Sequence, residues 1–253
     1  MILDKFRLDG KIALVTGSSR GLGAAIAVAF AQAGARLAIH GSKQVPTATQ
    51  RELQAMGAES LALVGDVSDA NVCAMLVEET VRHFGAIDIL VNNAGIIRRA
   101  PAAETSEEDW MAVIAVNLNS VFRLTQLAGR HMLKRGSGKI INIASLLTFQ
   151  GGILVPAYAA AKGAVGQLTK AFANEWASKG VNVNAIAPGY MDTDNTEALR
   201  NNHERARQIL ERIPAGRWGQ PDDLAGAAVF LASAASDYVN GHILVVDGGW
   251  LNR

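Results

Sequence analysis

Tyr158 and Lys162 stand four residues apart in the run Ala157-Tyr158-Ala159-Ala160-Ala161-Lys162, a spacing that puts both side chains on one face of a helix. A phenol titrates near pH 10 in water and is a poor base at neutral pH. A nearby ammonium favours the phenolate and draws that value down, so such a pair can give a proton to an oxygen or take one from it. Ser145, closing the apolar run Lys139-Ile140-Ile141-Asn142-Ile143-Ala144, can donate to the same oxygen and steady the charge that develops there. Asn117 lies inside the helical pattern Trp110–Leu127, where a polar residue is unhelpful unless it holds a water on a proton path. Together these groups suit hydride chemistry at a carbonyl or alcohol carbon, where an alkoxide must gain its proton or an alcohol lose one. Each has a plain alternative as a surface serine, an amphipathic tyrosine or a solvated lysine, and their order along the chain is what speaks against that.

A second group of residues suits a dinucleotide. Thr16-Gly17-Ser18-Ser19-Arg20-Gly21-Leu22-Gly23 joins an apolar run to a helical pattern. Glycines there let the backbone turn sharply and approach a ligand, and the helix N-terminus behind them offers free N–H groups to a pyrophosphate. The spacing G-x-x-x-G-x-G departs from the G-x-G-x-x-G dinucleotide fingerprint. Expected contacts are Gly17, Ser19, Arg20, Gly21, Leu22 and Gly23. At the end of the second strand a carboxylate would select the ribose 2′-hydroxyl of NAD. Here the chain reads His40-Gly41-Ser42-Lys43, so Arg20, Ser42 and Lys43 lean towards the 2′-phosphate of NADP. Asp66, with Val67 after it, can meet an adenine amino group, while Ser68 or Asp69 next door can cap a helix. Asn93, Ala94 and Gly95 of Asn92-Asn93-Ala94-Gly95 read as a turn that the cofactor could touch. Pro188, Gly189, Met191 and Thr193 follow a later strand, with the Thr193 hydroxyl a candidate partner for the nicotinamide carboxamide. Tyr158 and Lys162 also belong to this set, since the ammonium can reach the nicotinamide ribose.

The elements that position these residues alternate. Strands are expected at 12–16, 36–40, 61–65, 87–91, 139–144, 181–187 and 243–246, and helices at 21–33, 45–56, 69–84, 107–134, 157–178 and 221–233. Apolar strands joined by helical crossovers pair in parallel with both faces covered. The expectation is an α/β chain: one doubly wound domain over residues 1–253, with a seven-stranded parallel sheet flanked by helices. Residues 189–220 are the least regular stretch and follow a strand end, where ligands sit in open α/β sheets. That makes them a candidate substrate lid.

Composition excludes other classes. The formal charge is +1 and 19% of residues are charged, which leaves no electrostatic footprint for nucleic acid. No uncharged run approaches the roughly 20 apolar residues that span a bilayer, and the N-terminal residues do not read as a signal segment. The single cysteine, Cys73, rules out an internal disulfide and fits a reducing compartment; a cytoplasmic protein is expected. The five histidines show no metal-ligand spacing, so no metal is expected.

In order and spacing, Thr16–Gly23, Asp66, Asn92–Gly95, Asn117, Ser145, Tyr158-x-x-x-Lys162 and Pro188-Gly189 resemble the short-chain dehydrogenase/reductase family. The resemblance implies a Rossmann fold, a nicotinamide cofactor, a catalytic tetrad on Asn117, Ser145, Tyr158 and Lys162, and a homotetramer with contacts near Val246-Asp247-Gly248-Gly249-Trp250. Ile96-Ile97-Arg98-Arg99, the run Ser145–Gly152, Asn174–Ala177, the stretch Ala187–Thr196 and Arg212–Gly219 are similar to the branch of 2-deoxy-D-gluconate 3-dehydrogenases, also called 2-dehydro-3-deoxy-D-gluconate 5-dehydrogenases. That branch implies a sugar-acid substrate and NAD, against the NADP lean of Arg20, Ser42 and Lys43. A sugar acid carries one carboxylate, which a guanidinium can bind bidentately; Arg98-Arg99 and Arg217 are candidates, with Gln150 a further substrate contact. Two other activities fit the same motifs: a 3-oxoacyl-thioester reductase, and an NAD(P)-binding sensor without turnover.

Overall fold

The computed structural model describes all residues, Met1–Arg253. Its frame is a seven-stranded parallel sheet in the order β3-β2-β1-β4-β5-β6-β7. The strands are β1 Ile12–Val15, β2 Arg36–Gly41, β3 Ser60–Val64, β4 Ile89–Asn92, β5 Gly138–Ile143, β6 Val181–Pro188 and β7 Ile243–Val246. Alternate residues of one strand point to opposite faces. On β1, Ala13 and Val15 join a core with Ile26 and Phe30 of helix α1 (Gly21–Gln32). The same core holds Leu53 of α2 (Thr47–Ala55) and Leu231 of α9 (Ala225–Ala232). Ile12 and Leu14 face the other way, onto Leu76 and Val77 of α3 (Ala70–Phe84). With them pack Leu124 and Met132 of α5 (Ser120–Arg135) and Trp176 of α6 (Pro156–Trp176). Both faces being covered explains why the strands read as apolar throughout.

Two expectations change. The helix expected over 107–134 is not continuous: α4 (Glu107–Ile114) runs into a π turn at Ala115–Asn119 before α5 begins. A π turn inserts one residue into the helical ladder and often marks a functional position; Asn117 is at its centre. The whole stretch Glu107–Arg135 is long and apolar enough by composition to cross a membrane, although Arg123 interrupts its uncharged residues. Its apolar residues Leu124, Ala128 and Met132 are spent on the core against the sheet.

Residues 189–220, expected to be irregular, form a helical flap. They hold α7 (Glu197–Arg200) and α8 (His203–Arg212). The flap is pinned at its two ends, where the Asp192 N–H donates to the Gly219 carbonyl at 2.7 Å and the Gly219 N–H to the Tyr190 carbonyl at 2.9 Å. Ile209 and Ile213 bury against Leu146 and Trp250 in a small core of their own. Single-sequence periodicity missed these helices because they are short and α8 buries one residue, Ile209.

The helix that carries Tyr158 and Lys162 is held by close packing on α5. A Cβ on Gly129 of α5 would come within 2.5 Å of the Trp176 ring on α6. Gly129→Ala is therefore expected to lower stability by about 1–3 kcal/mol in urea unfolding, despite the gain of about 1 kcal/mol in helix propensity. The loss should shrink when Trp176 is also reduced to leucine; an equal loss in both backgrounds would refute the steric explanation.

Candidate active site

The chain leaves β1 towards one face of the sheet and β4 towards the other, so a crevice opens between their C-terminal ends. Hydrogen bonds hold its floor. The Thr16 hydroxyl donates to the Val91 carbonyl at 3.2 Å and accepts the N–H groups of Asn93 and Ala94 at 3.0 and 3.1 Å. The Asn93 amide donates back to the carbonyls of Thr16 and Gly17, both at 2.9 Å. Gly17 sits so close that a Cβ would lie 2.9 Å from the Ala94 backbone, and its φ of +62° belongs to the left-handed region; both facts require glycine. Gly23 meets the same constraint from the other side, since its Cβ would come within 2.4 Å of the Asn93 amide. Its expected cofactor contact thus becomes a packing role against Asn93.

His40 is a part of this floor that sequence reasoning did not single out. It is fully buried, its Nδ1 accepts the Gly17 N–H at 3.0 Å, and its Nε2 lies 2.8 Å from the Gly65 carbonyl. With Nδ1 accepting, Nε2 must carry the proton, so the ring is neutral. Burial pushes its pKa below the ordinary histidine value, against smaller opposing effects of Gly65 and Asp66. The signal was available: it is the one imidazole at the end of an otherwise apolar strand.

Above this floor lies a cleft of about 590 Å³, within the range of small-ligand sites. Gly17, Ser19, Arg20, Gly21 and Leu22 line it from the first turn, and Ser42, Lys43, Asp66 and Val67 from the ends of β2 and β3. Asn93, Ala94, Gly95 and Arg98 come from the turn after β4. Ser145 comes after β5, Tyr158 and Lys162 from α6, and Pro188, Gly189, Met191 and Thr193 from the start of the flap. The residues fit a dinucleotide. Arg20, the N-cap of α1, gives no side-chain bond to that helix, so its first N–H groups are free of any side-chain cap and available to an anion. Asp66 accepts the Ser68 N–H at 2.9 Å, and Asp69 caps α3 through the Asn71 N–H at 2.8 Å.

At the chemical end Lys162 is buried and Tyr158 half-buried. Ser145 Oγ accepts the Leu147 N–H at 3.2 Å, which leaves its own proton free to donate. Lys162 is buried and its Nζ donates to the Ile143 carbonyl at 2.5 Å, 5.6 Å from the Tyr158 ring centroid. Burial brings its pKa down to about 8. Burial also pushes the Tyr158 phenol up, while the Ser145 hydroxyl and the Arg99 guanidinium pull it back. The expectation that Lys162 draws the phenol down is thus not met in this geometry: desolvation outweighs the nearby charges, and the cation that bears on the phenol is Arg99. Asn117 is fully buried with both amide ends occupied. Its Oδ1 accepts the Ile96 N–H and its Nδ2 donates to the Ile96 carbonyl, each at 2.9 Å. The side chain therefore clamps the loop after β4 that leads to Arg98 and Arg99.

The candidate substrate residues separate. Arg98 lines the cleft with its Nε 3.2 Å from Asp109. Arg99 donates to the Asn195 carbonyl at 2.8 Å. Neither Arg99 nor Gln150 is among the residues lining the cleft; Arg99 reaches its edge through Asn195, which lines it. Arg217 lines a separate hollow of about 200 Å³, held by both oxygens of Asp223 at 2.6 and 2.8 Å; that pairing holds the Asp223 carboxyl at about 2. No three His, Cys, Asp or Glu side chains come together as a metal site.

Comparison with known proteins places the chain among oxidoreductases. The family model described as "Enoyl-(Acyl carrier protein) reductase" matches residues 17–251. The 2-dehydro-3-deoxy-D-gluconate 5-dehydrogenase of Bacillus subtilis (strain 168) is 58% identical over 250 residues, covering 99% of this chain and 98% of that protein. A solved structure from Agrobacterium tumefaciens with bound NADP is 54% identical, with a TM-score of 0.93 over 98% of this chain and 99% of that one. The gluconate 5-dehydrogenase of Burkholderia cenocepacia J2315, in complex with NADP and tartrate, is 46% identical, with a TM-score of 0.96 over 100% of both chains.

Lys162 gives this site a measurable signature. Its folded pKa of about 8 lies below the ordinary 10.5, so the unfolded chain keeps the proton that the folded chain loses between those values. Below pH 8 the folded state carries the whole penalty, roughly 3 kcal/mol at about 1.4 kcal/mol per pKa unit. The penalty is relieved as pH rises towards 10.5. Lys162→Met should therefore be more stable than the parent at pH 7, with the difference closing by about pH 10 in thermal melts. A difference that does not change with pH would overturn this account.

Proposed function

This chain belongs to the short-chain dehydrogenase/reductase family, and from that premise we propose that it moves a hydride between NAD(P) and the secondary alcohol or ketone of a sugar acid of the 2-dehydro-3-deoxy-D-gluconate type. The observation that carries the reading is Ser145, Tyr158 and Lys162 lining the same cleft as the first glycine turn. When bound, the nicotinamide ring supplies or accepts the hydride. Tyr158 Oη then gives a proton to the nascent alkoxide or takes one from the alcohol. Ser145 Oγ, its acceptor side used by Leu147, donates to the same oxygen and stabilises its developing charge. Lys162, with no carboxylate to neutralise it, favours the phenolate when it turns from the Ile143 carbonyl towards the cleft. Asn117 positions Ile96, which lines the cleft, from the π turn.

The sugar-acid carboxylate is bound by Arg99. Arg98 is occupied by a carboxylate of the protein, whereas the Arg99 guanidinium hydrogen-bonds a backbone carbonyl and its charge reaches Tyr158. The flap 189–220 covers the substrate as a lid. Relatives that are named for sugar-acid dehydrogenation, one of them solved in complex with NADP and tartrate, support the substrate class. For the cofactor, Arg20, Ser42 and Lys43 are available to a 2′-phosphate, and no carboxylate ends β2 to hold a 2′-hydroxyl. The protein works in the cytoplasm as a homotetramer.

A panel followed at 340 nm with both cofactors tests the reading. It should contain 2-dehydro-3-deoxy-D-gluconate, its 5-keto partner, 2-deoxy-D-gluconate, gluconate and an acetoacetyl thioester. Turnover of the sugar acids is expected; turnover of the thioester alone would point to a 3-oxoacyl reductase instead. Tyr158→Phe should lower kcat by about 10²–10⁴ with cofactor binding retained, and unchanged turnover would refute the acid–base role. Arg99→Ala should raise KM for the sugar acid about 10–100-fold and leave a neutral ketone unaffected; an equal loss on both substrates would count against carboxylate binding.

A further inference from the structure

Arg20, from the turn after β1, and Asp194, from the flap, both line the cleft. They meet there, with Nε 2.7 Å from Oδ2, although both side chains are largely exposed (77% and 61%). Asp194 is the only charged partner Arg20 has. The turn that carries the carboxylate is also braced from behind. This 3₁₀ turn, Asp194–Thr196, is braced by the Thr196 hydroxyl, which donates to the Met191 carbonyl at 2.5 Å and accepts the Thr193 N–H at 3.2 Å. Arg200 pairs with Asp192 at 2.9 Å and donates to the Thr193 carbonyl at 3.2 Å. The Arg20 contact is thus made to a residue on a braced turn.

We propose that Asp194 is a cofactor-specificity residue: it competes with a 2′-phosphate for the Arg20 guanidinium and so moderates the preference for NADP over NAD. This rests on the NAD(P) reading above. A 2′-phosphate is a strong anion that needs a cation beside it, and Arg20 can serve it only by leaving Asp194 or by sharing its charge with a nearby carboxylate. A 2′-hydroxyl asks neither of Arg20. Lys43, which enters no ion pair, remains available to the phosphate in both cases, so Asp194 tunes the preference without abolishing it. The exposure of the pair sets the size of the effect, since exposed ion pairs shift equilibria by only ~two- to fivefold.

Calorimetric titration of NADP⁺ and NAD⁺ into the full-length protein and its Asp194→Asn, Arg20→Ala and doubly substituted forms tests this at equilibrium, without turnover. Asp194→Asn should tighten NADP⁺ by ~two- to fivefold and leave NAD⁺ unchanged. Arg20→Ala should weaken NADP⁺, and adding Asp194→Asn to it should then recover little. The gain should shrink in 1 M salt, where exposed charges are screened. An equal change for both cofactors, or the same gain in the Arg20→Ala background, overturns the competition while leaving the NAD(P) reading intact. No saturable binding of either cofactor to the parent protein overturns both.

Discussion

The contact between the turns after β1 and β4 is the constraint on which the rest of the site depends. These strands are neighbours in the sheet, yet the chain leaves them towards opposite faces, so nothing covalent closes the gap between their ends. Thr16, Gly17 and Asn93 close it by hydrogen bonds and by an approach too tight for any Cβ at Gly17. The same bonds satisfy backbone groups that the sheet ladder has just released, which a buried turn must do somehow. His40 extends the arrangement to β3 by joining Gly17 to Gly65. Four strand ends, of β1, β2, β3 and β4, are thereby fixed relative to one another before any ligand arrives, and preorganisation of this kind lowers the cost of binding.

Electrostatics divide the cleft into two regimes. At the chemical end charge is buried and unpaired: Lys162 faces a carbonyl, and no carboxylate neutralises it. A buried cation of this sort destabilises the fold, and its presence makes sense only if the charge acts on something that enters the cleft. At the cofactor end and at the flap, by contrast, the arginines are exposed or, for Arg200, half-buried, and each already has a protein partner: Asp194 for Arg20, Asp109 for Arg98, the Asn195 carbonyl for Arg99 and Asp192 for Arg200. Two of those four partners, Asp194 and Asn195, lie on one turn of the flap. An anionic ligand that draws on Arg20 or Arg99 therefore also acts on the flap, which links recognition of either ligand to the position of the segment above it.

Much of this was legible in the sequence, for identifiable reasons. Strands buried on both faces read as apolar runs, and glycine-rich turns and the Tyr158–Lys162 spacing are local patterns, so the parallel sheet and the cleft-lining residues could be read directly. The π turn at Ala115–Asn119 could not, because inserting one residue into a helical ladder leaves the apolar periodicity nearly unchanged. The helices of the flap escaped because short amphipathic segments carry too few apolar residues to show a period. Asn117 was read as holding a water on a proton path, whereas its side chain clamps Ile96; that clamp depends on a loop far away in sequence and no local pattern announces it.

The cofactor end shows the limit most clearly. Reading Arg20, Ser42 and Lys43 as a basic neighbourhood uses only residues close to the second strand, whereas the availability of a guanidinium depends on what else it touches. For Arg20 that partner is Asp194, far along the chain and brought opposite only because the flap folds back over the ends of the strands. Arg217 teaches the same lesson: it looked free in sequence, but Asp223 holds it with both oxygens in a different hollow. A cation's type can be read from sequence; whether it is free to bind a ligand is a property of the pairings that the fold creates.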